Sequence, residues 1–290
     1  MPRTIDEGFN DFLSQLTPSA TESQAAKSHR ASIEQCLSSN FGLDRFARIG
    51  SFGNGTSISG YSDVDYLACM PRDELSNVSS YSLTKVRNAL DERFPNTGVR
   101  VNCPAIVVPF GNTASEATEI VIADHLWNDD DFGIYDIPNC NDGWMRVGPD
   151  KHNDYVRQID NKLSNKVKPL IRFIKAWKYY QNVPISSFYL ELRVAKYSQG
   201  EGSILYYIDL CRIFRLLYDV ALADMQDPMG VSGYIKACKT DSQYETALSK
   251  LKTALIRAEK AYEAIQAEKI SDAFDCLRLL FNYQFPTYYY

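Results

Sequence analysis

The chain has 290 residues, with 31 Lys and Arg against 36 Asp and Glu, for a formal net charge of −5. Hydrophobic residues make up 45% and charged residues 23%. That balance excludes disordered, collagen-like and membrane-embedded classes and leaves ample chain for a core. It also argues against a long polyphosphate partner, which clustered Lys and Arg would hold.

Ile5, Phe9, Phe12, Leu13 and Leu16 recur at helical spacing and predict a helix over 4–16. Pro18 breaks it, and Ser19 or Thr21 is placed to cap a second helix over 19–40. Gly42 and Asp44 mark a turn into a short strand, Arg45 to Ile49. That strand feeds the small-residue loop Gly50-Ser51-Phe52-Gly53-Asn54-Gly55-Thr56-Ser57, and a helix is expected to begin near Thr56. Val64 to Met70 reads as strand and 83–94 as helix. Val99 to Asn102, Ala105 to Phe110 and Thr118 to Ile122 read as three strands, with a turn at Gly111-Asn112.

The next stretch carries Asp at 124, 129, 130, 131, 136 and 142 and reads as a solvated surface loop. From Lys151 onward only helices are expected, at 152–163, 166–181, 186–198, 203–222, 240–266 and 270–282. The chain therefore divides near residue 150 into 1–150, mixed α and β, and 151–290, all helical. These are two lobes rather than independent domains, with the first helices expected to pack on the second lobe.

Seven cysteines, at 36, 69, 103, 140, 211, 238 and 276, show no CxxC or zinc-ribbon spacing. An odd, scattered set fits reduced thiols in a cytosolic protein. The N-terminal sequence lacks an apolar signal core, and no run approaches the roughly 20 apolar residues of a membrane span. A cytoplasmic protein with no membrane partner is expected. His29, His125 and His152 form no HxxxH pair.

Chemistry concentrates at Gly50-Ser51 and Asp63-Val64-Asp65. Side chains alternate along a strand, so Asp63 and Asp65 point the same way, with Cα atoms roughly 6.5–7 Å apart. Two carboxylates so placed can share divalent cations, and magnesium favours such oxygen ligands together with substrate phosphate. Gly50 and Gly55 allow close approach of backbone to a phosphate, while Ser51, Thr56 and Ser57 offer hydroxyls and backbone N–H groups. An isolated DxD is a weak signal. A DxD preceded by Gly-Ser and a Gly/Ser/Thr loop, and continued by Tyr66-Leu67-Ala68, is a strong one.

Gly50-Ser51 followed by Asp63-x-Asp65 resembles the signature of polymerase-beta-like nucleotidyltransferases. Gly50 through Thr56 and Ser62-Asp63-Val64-Asp65-Tyr66-Leu67 resemble its cyclic GMP-AMP synthase-like bacterial branch, the CD-NTases of anti-phage signalling. The likeness extends over Leu16-Thr17-Pro18-Ser19, Tyr135-Asp136-Ile137-Pro138, Trp144, Pro149 and His152. It continues through Lys168 to Trp177 and Ser186 to Glu191, and fades beyond about residue 200.

The resemblance implies an α+β fold: a polymerase-beta-like nucleotidyltransferase core, with a mixed sheet and helices, plus a C-terminal all-helical lobe and an active site in the cleft between them. It implies a third carboxylate on an adjacent strand. Glu116, Glu119 and Asp124 are candidates, and Glu119, leading into Ile120-Val121-Ile122-Ala123, fits the pattern. Lys175 matches a lysine that contacts triphosphate, Ser187 a phosphate-contacting hydroxyl and Phe188 an aromatic that stacks on a base.

The implied activity is magnesium-dependent synthesis of a cyclic di- or trinucleotide second messenger from NTPs such as ATP and GTP, with pyrophosphate release. Two Mg²⁺ ions are expected, with Mn²⁺ able to substitute. A downstream effector activated by the product is an expected partner, and a regulatory protein is an open question. The zinc insertion and basic surfaces of DNA-sensing animal relatives are not visible, so no DNA requirement is expected. Competing readings are a template-independent RNA 3′-end nucleotidyltransferase, a small-molecule nucleotidyltransferase and a non-catalytic nucleotide sensor.

Overall fold

The computed structural model describes residues 2–18, 20–61, 63–111 and 116–289. Met1, Ser19, Ser62, residues 112–115 and Tyr290, and the side chains of 20–28 and Glu116, lie outside that description. The capping expectation at Ser19 and Thr21 and the turn at Asn112 therefore fall outside it. The chain forms two compact units, Pro18–Asp154 and Met1–Thr17 with Tyr155–Tyr290. Set beside the expected 1–150 and 151–290, the first helix belongs with the second half of the chain and the second helix does not.

The 18–154 unit contains a long helix and then a sheet. Numbering in chain order, α1 is Ile5–Leu16 and α2 is Ala20–Phe41. There follow β1 (Arg45–Ile49), α3 (Gly50–Asn54), β2 (Val64–Cys69), α4 (Ser79–Arg93), β3 (Arg100–Asn102) and β4 (Ala105–Phe110). β5 (Glu116–Asp129), β6 (Phe132–Pro138) and β7 (Trp144–Val147) complete the sheet, and α5 (Pro149–Lys162) begins here. The strand order is β1-β2-β5-β4-β3, with β6 on β5 and β7 on β6. β2 and β5 run parallel, and the other pairs run antiparallel.

Alternation gives the sheet two different faces. Val64, Tyr66, Ala68, Ile106, Val108, Ile120 and Ile122 pack with Ile33 and Leu37 of α2 and Leu83, Val86 and Leu90 of α4. Each fully buried aliphatic side chain here contributes about 1.5–3 kcal/mol. The opposite face holds a smaller cluster of Leu67, Cys69, Ala105, Val121, Ala123, Tyr135 and Ile137.

Three expectations fail in this unit. The acidic stretch is not a loop. β5 continues through Asp129, and Asp130 and Asp131, at φ 47° and 68°, turn the chain into β6. Two successive left-handed residues are the hairpin turn whose twist suits antiparallel strands. The carboxylates masked the buried alternates Tyr135 and Ile137. Second, the helix after β1 starts at Gly50 rather than near Thr56, and Gly55, at φ 71°, ends it. Third, Cys103 and Cys140 form a disulfide with Cα atoms 5.6 Å apart, while the other five cysteines are free thiols. β4 and β6 both pair with β5, which gathers cysteines that sequence spacing leaves unrelated.

The other unit is helical. α1 joins the end of α5, α6 (Val167–Tyr180), α7 (Ser187–Gln199), α8 (Tyr206–Asp219), α9 (Asp241–Gln266) and α10 (Ile270–Leu280). Thr4 and Glu7 make a reciprocal capping box at the start of α1. The helix buries Phe9 and Phe12 against Phe173, Phe281 and Phe285. Asp160 of α5 accepts from the N–H groups of Val167 (2.9 Å) and Lys168 (3.0 Å), satisfying orphan donors of α6. A short hairpin, β8 (Met225–Gln226) with β9 (Tyr234–Ile235), interrupts the helices where none but helices were expected.

Candidate active site

Strand register assembles the carboxylates. Asp65 of β2 pairs directly with Glu119 of β5, so the two side chains share a face of the sheet. It is the face of the smaller cluster, whose Leu67 and Val121 continue each strand inward. Asp63 lies two residues ahead of Asp65. Asp124, by contrast, falls on the opposite alternation and pairs with Arg72 at 3.5 Å, which leaves Glu119 as the third carboxylate of this face.

The row extends further. Glu119 pairs with Val107 of β4, and Val107 with Arg100 of β3. Asp65, Glu119, Val107 and Arg100 thus stand side by side across four strands. Asn102, two residues beyond Arg100, donates from Nδ2 to Glu119 Oε1 at 3.5 Å. Asp63 keeps an exposed edge, but surrounding protein desolvates its carboxyl and pushes it above the usual range, while the charge of Arg100 opposes that rise.

Gly50 completes the arrangement. It sits at φ 61°, and a Cβ there would lie 2.9 Å from Cγ of Asp65. The glycine is needed twice, for its backbone conformation and for the room it leaves to the carboxylate. Ser51 is half-buried on the first turn of α3. Thr56 is fully buried, with its N–H donating to the Ser51 carbonyl at 2.8 Å.

In the helical unit, the residues expected to handle phosphate and base divide. Lys175 is 1% exposed and its Nζ meets Glu191 Oε2 at 2.7 Å, linking α6 to α7. A buried ammonium is stable only when paired, and Glu191 supplies that pairing here. One turn on, Lys178 Nζ donates to Ser187 Oγ at 2.5 Å, and the Tyr179 hydroxyl lies 3.3 Å from the same oxygen. Ser186, not Ser187, caps α7, accepting from the Tyr189 N–H, so the Ser187 hydroxyl is spared for this cluster. Burial, with the charge of Lys175, pushes Lys178 down to about 8. Phe188 is 41% exposed, which suits a stacking surface.

Lys178, Arg100 and Asn102 are the residues that sequence reasoning missed as site candidates. Lys178 lies three residues from Lys175 on the same helix, and nothing in that spacing separates the two. The β3 residues carry no motif, and their place follows only from register.

The donor set fits magnesium. Carboxylates are hard oxygen ligands, and this ion commonly takes one or two of them together with substrate phosphate rather than an all-protein cage. Among the described residues no group of three His, Cys, Asp or Glu side chains is placed to hold a metal ion, so the fit rests on the opposed pair Asp65 and Glu119. Two carboxylates directly opposed on adjacent strands repel, a standing cost at this position that a bound cation would relieve.

Residues 3–160 match the family model of the second messenger oligonucleotide or dinucleotide synthetase domain. A probable cyclic nucleotide synthase of Bacillus cereus strain VD146 is 26% identical over 161 residues, or 53% of this chain and 46% of that protein. The match therefore spans about half the length of that curated relative. The structure of CdnC from E. coli MS115-1 with ATP aligns with a TM-score of 0.75 at 17% identity, over 97% of this chain and 98% of that one. The Vibrio cholerae cyclic AMP-GMP synthase DncV, in complex with a linear intermediate, aligns at 0.66 and 14%, over 84% and 70%. At these identities the structural likeness speaks for the fold. No helix among the described residues is long and apolar enough to cross a membrane.

Proposed function

From the premise that the chain belongs to the second messenger oligonucleotide or dinucleotide synthetase family, we propose that it joins nucleoside triphosphates into a cyclic di- or trinucleotide with release of pyrophosphate. The observation that carries this reading is the direct pairing of Asp65 with Glu119, with Gly50 closed against Asp65. The names of the relatives, a cyclic nucleotide synthase and a cyclic AMP-GMP synthase, support the same product class.

Asp63, Asp65 and Glu119 would hold magnesium. When bound, the ion supplies positive charge to the triphosphate and makes an acceptor hydroxyl more acidic. The chain's own part is placement and charge. Gly50 lets the backbone turn beside Asp65, which fixes the aim of that carboxylate. Ser51 offers a hydroxyl at the start of α3. Glu119, held in register by β2 and β4, would serve the ion that acidifies the acceptor hydroxyl. Lys178 and Ser187 offer an ammonium and a hydroxyl within 2.5 Å of each other, a pair suited to phosphate oxygens. The exposed ring of Phe188 offers a face on which any base can stack. Positioning and charge neutralisation carry most of the work in such transfers.

The test incubates the protein with the four labelled NTPs and Mg²⁺, then adds phosphatase. A small phosphatase-resistant product supports the reading. A ladder on an added RNA points instead to a 3′-end nucleotidyltransferase, and unchanged NTPs, with any candidate activator also tried, point to a nucleotide sensor. A role in anti-phage signalling, with an effector that responds to the product, is part of the same proposal and is tested by phage challenge of cells with and without the Asp65→Asn variant.

A further inference from the structure

β3 is three residues long, exposed at every position, and hydrogen-bonded along β4 alone. A strand this short at a sheet edge has little to hold it, and local opening at such edges costs little free energy. Yet it carries Asn102, which reaches Glu119 at 3.5 Å, the outer limit of a hydrogen bond. Asn102 pairs with Ala105 across the Cys103-Pro104 turn, and Ala105 pairs with Val121, two residues beyond Glu119. The amide is therefore on the carboxylate face by register as well as by contact.

The residue next to Asn102 is covalently tied. Cys103 is bonded to Cys140, which follows β6, and β6 is itself paired with β5. The Cys140 end is stiffened in turn. Asn139 Oδ1 accepts from the N–H groups of Asn141 (2.9 Å) and Gly143 (3.0 Å), closing a tight turn between β6 and β7. The loose strand is thus anchored, one residue from the amide, to the strand system that carries Glu119.

We propose that Asn102 is a positioning residue for Glu119 and that the Cys103–Cys140 disulfide holds it over that carboxylate, so that the oxidation state of this cysteine pair sets the aim of the third carboxylate. The inference rests on the reading of Glu119 as a carboxylate that binds metal for nucleotidyl transfer. An amide donor orients the carboxylate, as residues behind metal ligands generally do. Reduction by a dithiol breaks the Sγ–Sγ bond, places two electrons and two protons on Cys103 and Cys140 as free thiols, and leaves the dithiol as its own disulfide. β3 is then held by its β4 pairing alone.

The test compares wild type, Asn102→Ala, Asn102→Gln and the double variant Cys103→Ser with Cys140→Ser, each full length, in oxidised and dithiol-treated form. Circular dichroism verifies folding. The readouts are the Mn²⁺ dissociation constant without nucleotide, from electron paramagnetic resonance of the free ion, and kcat and KM from pyrophosphate release. Asn102→Ala is expected to weaken Mn²⁺ binding about tenfold and to lower kcat about tenfold, with KM within about twofold. Asn102→Gln, which keeps the amide, recovers part of both. Reduction of wild type and the double cysteine variant each move both values in the same direction by about threefold.

Reduction has no further effect once Asn102 is alanine, because the tie then has nothing to position. Wild-type Mn²⁺ affinity in Asn102→Ala overturns the proposal. So does a reduction effect as large in Asn102→Ala as in wild type. Mn²⁺ binding is read without turnover, so a wild type that binds the ion and releases no pyrophosphate removes the synthase reading, while the Mn²⁺ comparison still decides the role of Asn102.

Discussion

A methyl carbon at Gly50 would stand 2.9 Å from Cγ of Asp65, inside the space that the carboxylate fills. Glycine at this position therefore serves the acid on the neighbouring strand, as well as the φ of 61° that its own backbone adopts. Gly50→Ala is expected to lose about 1–2 kcal/mol of stability from the left-handed backbone. It is also expected to reduce pyrophosphate release about a hundredfold or more by displacing Asp65, a cost of the size seen when a reacting constellation is misplaced. Gly55→Ala is the control. Its φ is 71° and nothing lies within 4 Å of an added Cβ, so it should lose stability without displacing Asp65. Urea unfolding and a pyrophosphate assay on both variants decide; equal loss of activity would assign the effect to backbone strain.

Asp65 and Glu119 face each other as like charges on adjacent strands. Neutralising one member, by Asp65→Asn or Glu119→Gln, should abolish NTP consumption while raising stability by about 0.2–1 kcal/mol, the usual size of a cross-strand pair. Asp63→Asn with Asp65→Asn should likewise consume no NTP and remain folded. A loss of activity accompanied by unfolding in all of these variants would show that the carboxylates hold the sheet rather than serve the reaction.

Lys175 and Glu191 are 1% and 7% exposed and meet at 2.7 Å. Lys175→Met strands a buried carboxylate and should cost about 3–5 kcal/mol, most of it recovered on adding Glu191→Leu. In the recovered double variant, KM for NTP is expected to stay within about threefold of wild type, as it would for a residue that makes no substrate contact. A large rise in KM despite recovered stability would return Lys175 to the phosphate site.

Burial holds Lys178 at about 8 in the folded protein, against about 10.4 in an unfolded chain. Between these values the unfolded state binds more protons than the folded one, so stability rises as pH rises from about 8 to about 10.4. Lys178→Met should flatten that rise in urea titrations across this range. An anionic phosphate beside the ammonium favours its charged form, so NTP binding near pH 8 should take up protons. Calorimetry in two buffers of different ionisation enthalpy measures that uptake; none in wild type would place the triphosphate elsewhere.

Much of this protein is legible in its sequence because its strongest signals are local. Ile5, Phe9, Phe12 and Leu16 fix the buried face of α1 by spacing alone, and all four are buried. Gly50-Ser51 and Asp63-x-Asp65 lie within sixteen residues, so the short helix α3, the loop after it and the start of β2 carry them. The misread segments fail for the opposite reason. Asp124, Asp129, Asp130, Asp131 and Asp136 give a loop-like composition, while the hairpin is held by the alternate residues and by two left-handed aspartates. Lys175 and Lys178 lie three apart on one helix. Their different fates depend on Glu191 and Ser187 of another helix, which no pattern within α6 records.

The sequence by itself determined where the chemistry is concentrated and which carboxylates compete for it, because a period of two or of 3.6 residues is written into consecutive positions. The pairing of β2 with β5 brought Asp65 opposite Glu119, and that of β4 with β3 carried the row on to Arg100 and Asn102. The join of Cys103 to Cys140 came with the fold in the same way. These are choices of register between strands distant in the chain. A shift of one residue in any of them would turn each side chain to the other face of the sheet, so they are settled only when both faces of the sheet find their packing partners.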